Sequence, residues 1–246
     1  MDPTIIPEFV LIAPAPRTDF RTKQPEPSLC NEWIAALKEV PEPLAARFKV
    51  KEMRLDCDVL SKEFGTFDCV VSPANSFGIM DGGYDMALSL AFQVGKDIWA
   101  LTNSVQDVLK RRHRGYLPPG SCTLVPLSSQ LTSSNCLNCT VLAVVPTMRV
   151  PEPVAWHVDL VYDSMWNLLT ALWQWNLDIE DGVRNGKKIE RVLMTGLATG
   201  CGEIGAKRCA RQMILAVRHF AEGWGDHPRW NDVGKRVTEI NETRSL

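Results

Sequence analysis

Short apolar runs alternate with helix-period segments along most of this chain, and that alternation constrains it more than any other feature. Phe9-Val10-Leu11-Ile12-Ala13, Phe67-Asp68-Cys69-Val70-Val71 and Arg191-Val192-Leu193-Met194-Thr195 are short, apolar and bounded by breaks. Runs of that kind suit strands covered on both faces. Further strands are expected at 48–55, 121–126 and 140–145. Between them, Trp33, Leu37 and Val40 recur at helical spacing after Ser28, a residue suited to capping, and Pro41 and Pro43 end that segment. Helices are likewise expected at 85–92, 97–112, 156–176 and 206–220. In 156–176 Val161, Met165, Leu168, Leu172 and Trp175 make one stripe, so its tryptophans read as core. Strands alternating with helices predict an α/β layered sandwich with a mostly parallel sheet.

With 246 residues the chain suits a single large domain, residues 1–246, in which the first strand and helix (1–47) are integral and 223–246 form a polar tail. The 45% hydrophobic and 23% charged fractions argue against disorder and coiled coil. A net charge of −2 gives no basic excess for nucleic acid, and Lys110-Arg111-Arg112-His113-Arg114 reads as the basic end of a helix. No run approaches the ~20 apolar residues that span a bilayer, and no basic leader precedes Phe9. The expectation is a soluble protein of the cytoplasm or nucleus, without a membrane partner. The eight cysteines are then expected to be reduced. Cys136 and Cys139 form a lone CxxC in a Ser/Thr/Asn-rich stretch, 128–140, that reads as an exposed hairpin or loop. With the four histidines scattered, no metal site is expected. Residues 17–28 read as a polar loop.

Two segments carry nearly all the chemical information. Both follow a predicted strand and both lead into a predicted helix. The first runs from Ser72-Pro73-Ala74-Asn75 to Asp81-Gly82-Gly83-Tyr84-Asp85, and the second is Gly196-Leu197-Ala198-Thr199-Gly200-Cys201-Gly202-Glu203-Ile204-Gly205. Ligands of open α/β sheets sit outside the carboxyl ends of the strands. Glycine there lets backbone approach a ligand, and helix amino ends attract anions. The pair therefore reads as two walls of a phosphate cradle that needs no cation. Neither loop has the GxxxxGK[ST] or GxGxxG pattern.

The residues of the first loop, Val71-Ser72-Pro73-Ala74-Asn75 followed by Gly82-Gly83-Tyr84-Asp85, resemble the macrodomain family's VNAANxxLxxGGGVD motif, with the same Asn-to-Asp spacing. In the second, Thr199-Gly200 resembles the S/T-G of the family's PAISTGxxGxP segment, and Asp58-Val59 resembles its Asp-Ile pair. The resemblance spans roughly 48–222. It implies a three-layer α/β/α sandwich with a mixed, mostly parallel central sheet, a cleft for ADP-ribose, and no cofactor. On that resemblance Asp58 would accept from the adenine amino group beside Val59. Ala74, Asn75, Gly82, Gly83 and Tyr84 would line the distal ribose, and Thr199, Gly200, Cys201, Gly202, Glu203 and Ile204 would wrap the diphosphate. Asn75 would orient the ribose, and Asp85, ionised at a helix amino end, would activate water.

Departures from the motif are specific. Ser72-Pro73 replace Asn-Ala, and Met80-Asp81 replace two glycines, which is expected to narrow the loop and add a carboxylate. Gly202 stands where an aromatic is common, so stacking would come from Phe77 or Tyr84, or be absent. Three classes follow: a hydrolase of ADP-ribosylated protein or of ADP-ribose 1''-phosphate, a non-catalytic reader of ADP-ribose, or a macrodomain-shaped protein serving another nucleotide or a partner. Oligomeric state is not legible.

Overall fold

The structure, a computed structural model, describes residues 1–16, 18 and 26–246. Its strands are β1 (Glu8–Ala13), β2 (Phe48–Glu52), β3 (Cys69–Ser72), β4 (Thr123–Pro126), β5 (Val141–Val144) and β6 (Arg191–Met194). Its helices are α1 (Leu29–Leu37), α2 (Glu42–Ala45), α3 (Cys57–Phe64), α4 (Gly83–Ala91), α5 (Ala100–His113), α6 (Ser129–Ser134), α7 (Leu160–Glu180), α8 (Ala206–Glu222) and α9 (Trp230–Glu242). The strands form one sheet in the order β2-β1-β6-β3-β5-β4. All pairs are parallel except β4 with β5, so the sheet is mixed and mostly parallel.

Side-chain alternation explains the layers. Phe9, Leu11, Cys69, Val71, Val192 and Met194 face one side, where they meet α1, α7 and α8. Val10, Ile12, Val70 and Leu193 face the other, where they meet α3, α4, α5 and α6. The result is a three-layer α/β/α sandwich, and strands covered on both faces account for the near-continuous apolar runs.

Local chemistry sets several boundaries. Ser28 caps α1 by accepting from the Asn31 N–H. The basic run forms the last turn of α5, where Arg114 ends the helix in the left-handed conformation. α1 ends at Leu37, ahead of both prolines; Pro41 is the N-cap of the short α2 and Pro43 stands in its first turn, where proline suits a helix.

Residues 57–64, for which no element was expected, form α3, capped by Asp56. Three expectations are corrected. The 128–140 stretch contains α6, capped by Ser128, instead of a hairpin or plain loop. The tail, expected to lack periodicity, contains α9, whose apolar stripe of Trp230, Val233, Val237 and Ile240 is spaced 3, 4 and 3 and meets the core through the partly buried Ile240. Trp175 is core, but Trp173 on the same helix is 39% exposed and edge-on to Phe220. The expected loop at 17–28 lies partly outside the described residues, since 17 and 19–25 are not among them.

The cysteine expectation also changes. Cys57 and Cys136 are joined by a disulfide across 79 residues, with Cα atoms 5.7 Å apart. Cys139 faces inward, its thiol donating to the Val141 carbonyl, and burial pushes it up to about 12. The two CxxC cysteines thus point to different partners and do not act as a pair. Among the described residues, no helix is long and apolar enough to cross a membrane.

β1 lies between β2 and β6 and pairs with both. Deleting residues 1–47 would remove β1 with its fully buried Phe9, Val10 and Leu11, strip Trp33 from the α1–α8 contact and leave β2 and β6 without a shared neighbour. The expected outcome is loss of cooperative melting by circular dichroism. A truncated protein that melts like the full chain would make the segment an appendage.

Candidate functional site

β6 and β3 are adjacent and parallel, yet the chain leaves them towards opposite faces. After β6 it enters α8 on one side, and after β3 it enters α4 on the other. Diverging loops at neighbouring carboxyl ends open a crevice, the place where sheets of this class bind ligands. The first wall is the 73–82 loop leading into α4, and the second is the 195–205 loop leading into α8.

The segment after β5, unmarked by any sequence motif, ties these walls together. The Val145 N–H donates to Ser72 O at 3.0 Å, Thr147 N–H to Ala74 O at 2.9 Å, and Ser76 N–H to Met148 O at 3.0 Å. Farther along, Val154 N–H donates to Gly202 O at 2.9 Å. These are backbone contacts, which is why residue types at 145–154 did not announce them.

In the first wall, Asn75 mainly holds its own loop. Its Oδ1 accepts from the N–H groups of Phe77 and Ile79 at 3.1 and 3.3 Å, and Nδ2 donates to Ile79 O at 2.7 Å. Only part of its donor capacity is left for a ligand. Met80 does not narrow the crevice as expected. Its side chain is fully buried in the core, its N–H donates to Thr102 Oγ1, and its carbonyl accepts from Ser89. Ala74 is buried, whereas Gly82 and Gly83 are exposed, with open space where a Cβ would stand. Gly83 has φ +55°, the left-handed region that favours glycine.

Asp85 occupies the first turn of α4 without capping it. Its Oδ1 accepts from Ser72 Oγ at 2.7 Å, and Oδ2 has no partner among the described residues. Ser72 is fully buried and Asp85 is 8% exposed. Burial raises the Asp85 carboxyl to about 7, the nearby Asp81 charge pushes the same way, and the Ser72 hydrogen bond opposes both. This overturns the expectation of a carboxylate kept fully ionised by the helix end: desolvation outweighs the dipole. Tyr84 turns away from the crevice. Its ring packs against the α3–α6 side of the core, its hydroxyl is sealed without a partner, and burial raises its phenol. Phe77, 39% exposed and edge-on to Tyr116, remains the available aromatic of the pair.

In the second wall, the loop folds on itself. Glu203 N–H donates to Gly200 O at 3.0 Å and Ile204 N–H to Ala198 O at 3.1 Å, with Ala198 and Glu203 in the left-handed conformation. Those two amides are therefore committed, and the Ile204 side chain is core. The N–H groups of Gly200, Cys201 and Gly202 have no partner among the described residues, and the first turn of α8 adds its own uncapped donors. Gly200 and Cys201 are exposed and Thr199 is half-buried. Gly202 is a packing glycine: a Cβ would stand 2.6 Å from Ala198 O and 3.0 Å from Val154. An aromatic there is sterically impossible without moving the wall. Just past the loop, Arg208 is 7% exposed and donates to Ala155 O at 3.0 Å, fastening the 154–156 stretch to α8.

Asp58 and Val59 lie exposed in the first turn of α3, which the chain enters from the carboxyl end of β2. The Cys57–Cys136 bond ties that turn to the 135–139 segment, where Leu137 O accepts from Phe67 N–H. Two cavities, of about 400 Å³ between α1, α8 and α9 and about 680 Å³ at the amino ends of the strands, lie elsewhere.

A scan against family models returned no match, and no curated protein matched the chain. Among solved structures the chain is similar to macrodomains of Oceanobacillus iheyensis. A mutant described "with ADPR" is 14% identical, covers 74% of this chain and 88% of its own, and has a TM-score of 0.43. The same macrodomain "with ADP" is 14% identical over 73% of this chain and 83% of its own, also at 0.43. The one "with MES bound" is 12% identical over 73% and 84%, at 0.42.

Two measurements check this geometry. Gly202→Ala is expected to cost about 1–3 kcal/mol of stability in denaturant unfolding through overpacking, whereas Gly200→Ala, which faces open space, should stay within about 0.5 kcal/mol. Equal effects would place Gly202 outside the packed wall. Separately, a carboxyl raised from 3.8 to about 7 on folding favours the folded state below the unfolded pKa, and that contribution disappears as pH rises through about 7. Asp85→Asn should therefore be more stable than wild type at pH 8, with the advantage shrinking towards pH 4. A difference independent of pH would contradict the burial of the charge.

Proposed function

We propose that this chain is a macrodomain-type protein that holds ADP-ribose in the crevice between β6 and β3 and cleaves a bond at its distal ribose. The observation that carries the reading is the pairing of unlike walls. One presents free backbone N–H groups and a helix amino end, suited to a diphosphate without a cation. The other presents a buried carboxylate with one unpartnered oxygen, suited to proton transfer. The motif resemblance of the two loops names the ligand, and ADPR and ADP are the molecules named with the O. iheyensis structures. The substrate class is an ADP-ribosylated protein carboxylate or ADP-ribose 1''-phosphate.

In this reaction a water oxygen attacks the anomeric carbon while the bond to the departing carboxylate or phosphate breaks. Ionised Asp85 takes the water proton, and the leaving group departs with the bonding electrons. A carboxyl near 7 is only part ionised at neutral pH, so kcat/KM should rise through that pH and level above it. Asn75 contributes by keeping the 75–79 loop in shape, and its remaining amide proton can meet a ribose hydroxyl. The commitment of that amide to its own loop also favours a second reading, a non-catalytic reader.

Titration calorimetry with ADP-ribose, followed by release of ADP-ribose from a modified protein, separates the two. Asp85→Ala is expected to slow turnover by about 10²–10⁴-fold while changing ADP-ribose affinity by about tenfold or less. Tight binding by wild type without turnover of either substrate class would select the reader. Failure to bind ADP-ribose would remove both.

A further inference from the structure

The Ser72–Asp85 contact goes further than the proposed activity on which it rests. In the motif that this loop resembles, the position of Ser72 is an asparagine, and no role for a serine comes with the resemblance. The structure supplies one. Ser72 is the last residue of β3, and alternation from Val70 aims it at the α4 side of the sheet. It is fully buried, and its hydroxyl donates to Asp85 Oδ1 at 2.7 Å. Its backbone is fixed as well, since its carbonyl accepts from Val145 N–H at 3.0 Å. A short hydrogen bond from the end of a strand to this carboxylate fixes its orientation and leaves Oδ2 as the reacting oxygen.

We propose that Ser72 is the positioning residue of this site: its hydroxyl orients the Asp85 carboxylate and favours its ionised form, and so decides the pH at which the site turns over. The charged and titratable groups that bear on Asp85 are few. Asp81 in the preceding loop opposes ionisation, Tyr84 on the same helix stays protonated, and the anion is favoured by the amino end of α4 and by the Ser72 hydroxyl. Removing the donor leaves burial and Asp81 opposed by the helix end alone. A hydrogen bond to a charged group is worth about 1.5–3 kcal/mol, which corresponds to about one to two pH in a titration midpoint.

The test uses Ser72→Ala and Ser72→Cys, one smaller and one larger than serine and both poor donors, with Ser72→Thr restoring the hydroxyl. Thermal melting establishes which variants fold. The first readout is a carbon-detected NMR titration of the Asp85 carboxyl in the ligand-free protein, which does not depend on activity. Its midpoint should move upward by about one to two pH in the Ala or Cys variant and return in the Thr variant. The second is the pH profile of ADP-ribose release. Its acidic limb should move by the same amount, with kcat at neutral pH down about 5–50-fold and KM changed less than about threefold. A purely structural serine would lower the melting temperature but leave both midpoints in place, and that result would overturn the proposal. So would a shifted titration with an unshifted rate profile. If wild type releases no ADP-ribose at any pH, the hydrolase reading falls and the catalytic part of this proposal falls with it. The titration alone then reports whether Ser72 governs the Asp85 proton.

Discussion

Everything at the carboxyl edge of the sheet depends on one constraint: β6 and β3 are neighbours whose following helices pack on opposite faces. A loop that must rise to one face and a loop that must drop to the other cannot fill the space between them. The crevice is thus a consequence of topology before any side chain is considered. Residue chemistry then makes its walls unlike. Glycines, free N–H groups and the start of a 17-residue helix line one side, and a buried serine–carboxylate pair lies behind the other.

Each wall is rigid for its own reason. The first is pinned from inside by Asn75, from below by Thr102 and Ser89 on Met80, and from the side by the β5 extension. The second is closed by two backbone hydrogen bonds within the seven residues 198–204 and seated on Val154 through Gly202. Pre-set walls lower the ordering cost of binding. They also concentrate the chemical freedom of the site in one proton, that of Asp85. Burial makes the proton easy to keep, and Ser72 makes it easier to lose. A carboxyl balanced near 7 is destabilising when ionised, which is the usual relation between a working site and the stability of its fold.

The sheet, most of the helices and both Gly-rich loops were readable because each rests on a local signal. β1 and β6 are short apolar runs between breaks, α7 carries an unbroken stripe, and Ser28 caps α1. The elements not read carry weaker signals. α9 has an apolar stripe, from Trp230 to Ile240, but no fully buried side chain, α6 is six residues long in a Ser-rich stretch, and α3 overlaps residues that the motif resemblance assigns to a ligand. The Cys57–Cys136 bond joins residues 79 apart and so could not be seen in local spacing.

Sequence alone determined that strands and helices alternate, that Asn75 and Asp85 stand ten residues apart in a Gly-rich loop, and that a second such loop precedes α8. Those are properties of neighbours along the chain, carried by periodicity, capping and turn chemistry. Tertiary structure decided which way each side chain faces. It turned Met80 and Tyr84 into the core, denied Gly202 a side chain and spent most of the Asn75 amide on its own loop. It also placed Ser72 against Asp85 across thirteen residues and withdrew that carboxyl from water, shifting its proton affinity towards neutrality. Burial and partner choice depend on where distant segments pack, and no local pattern encodes them.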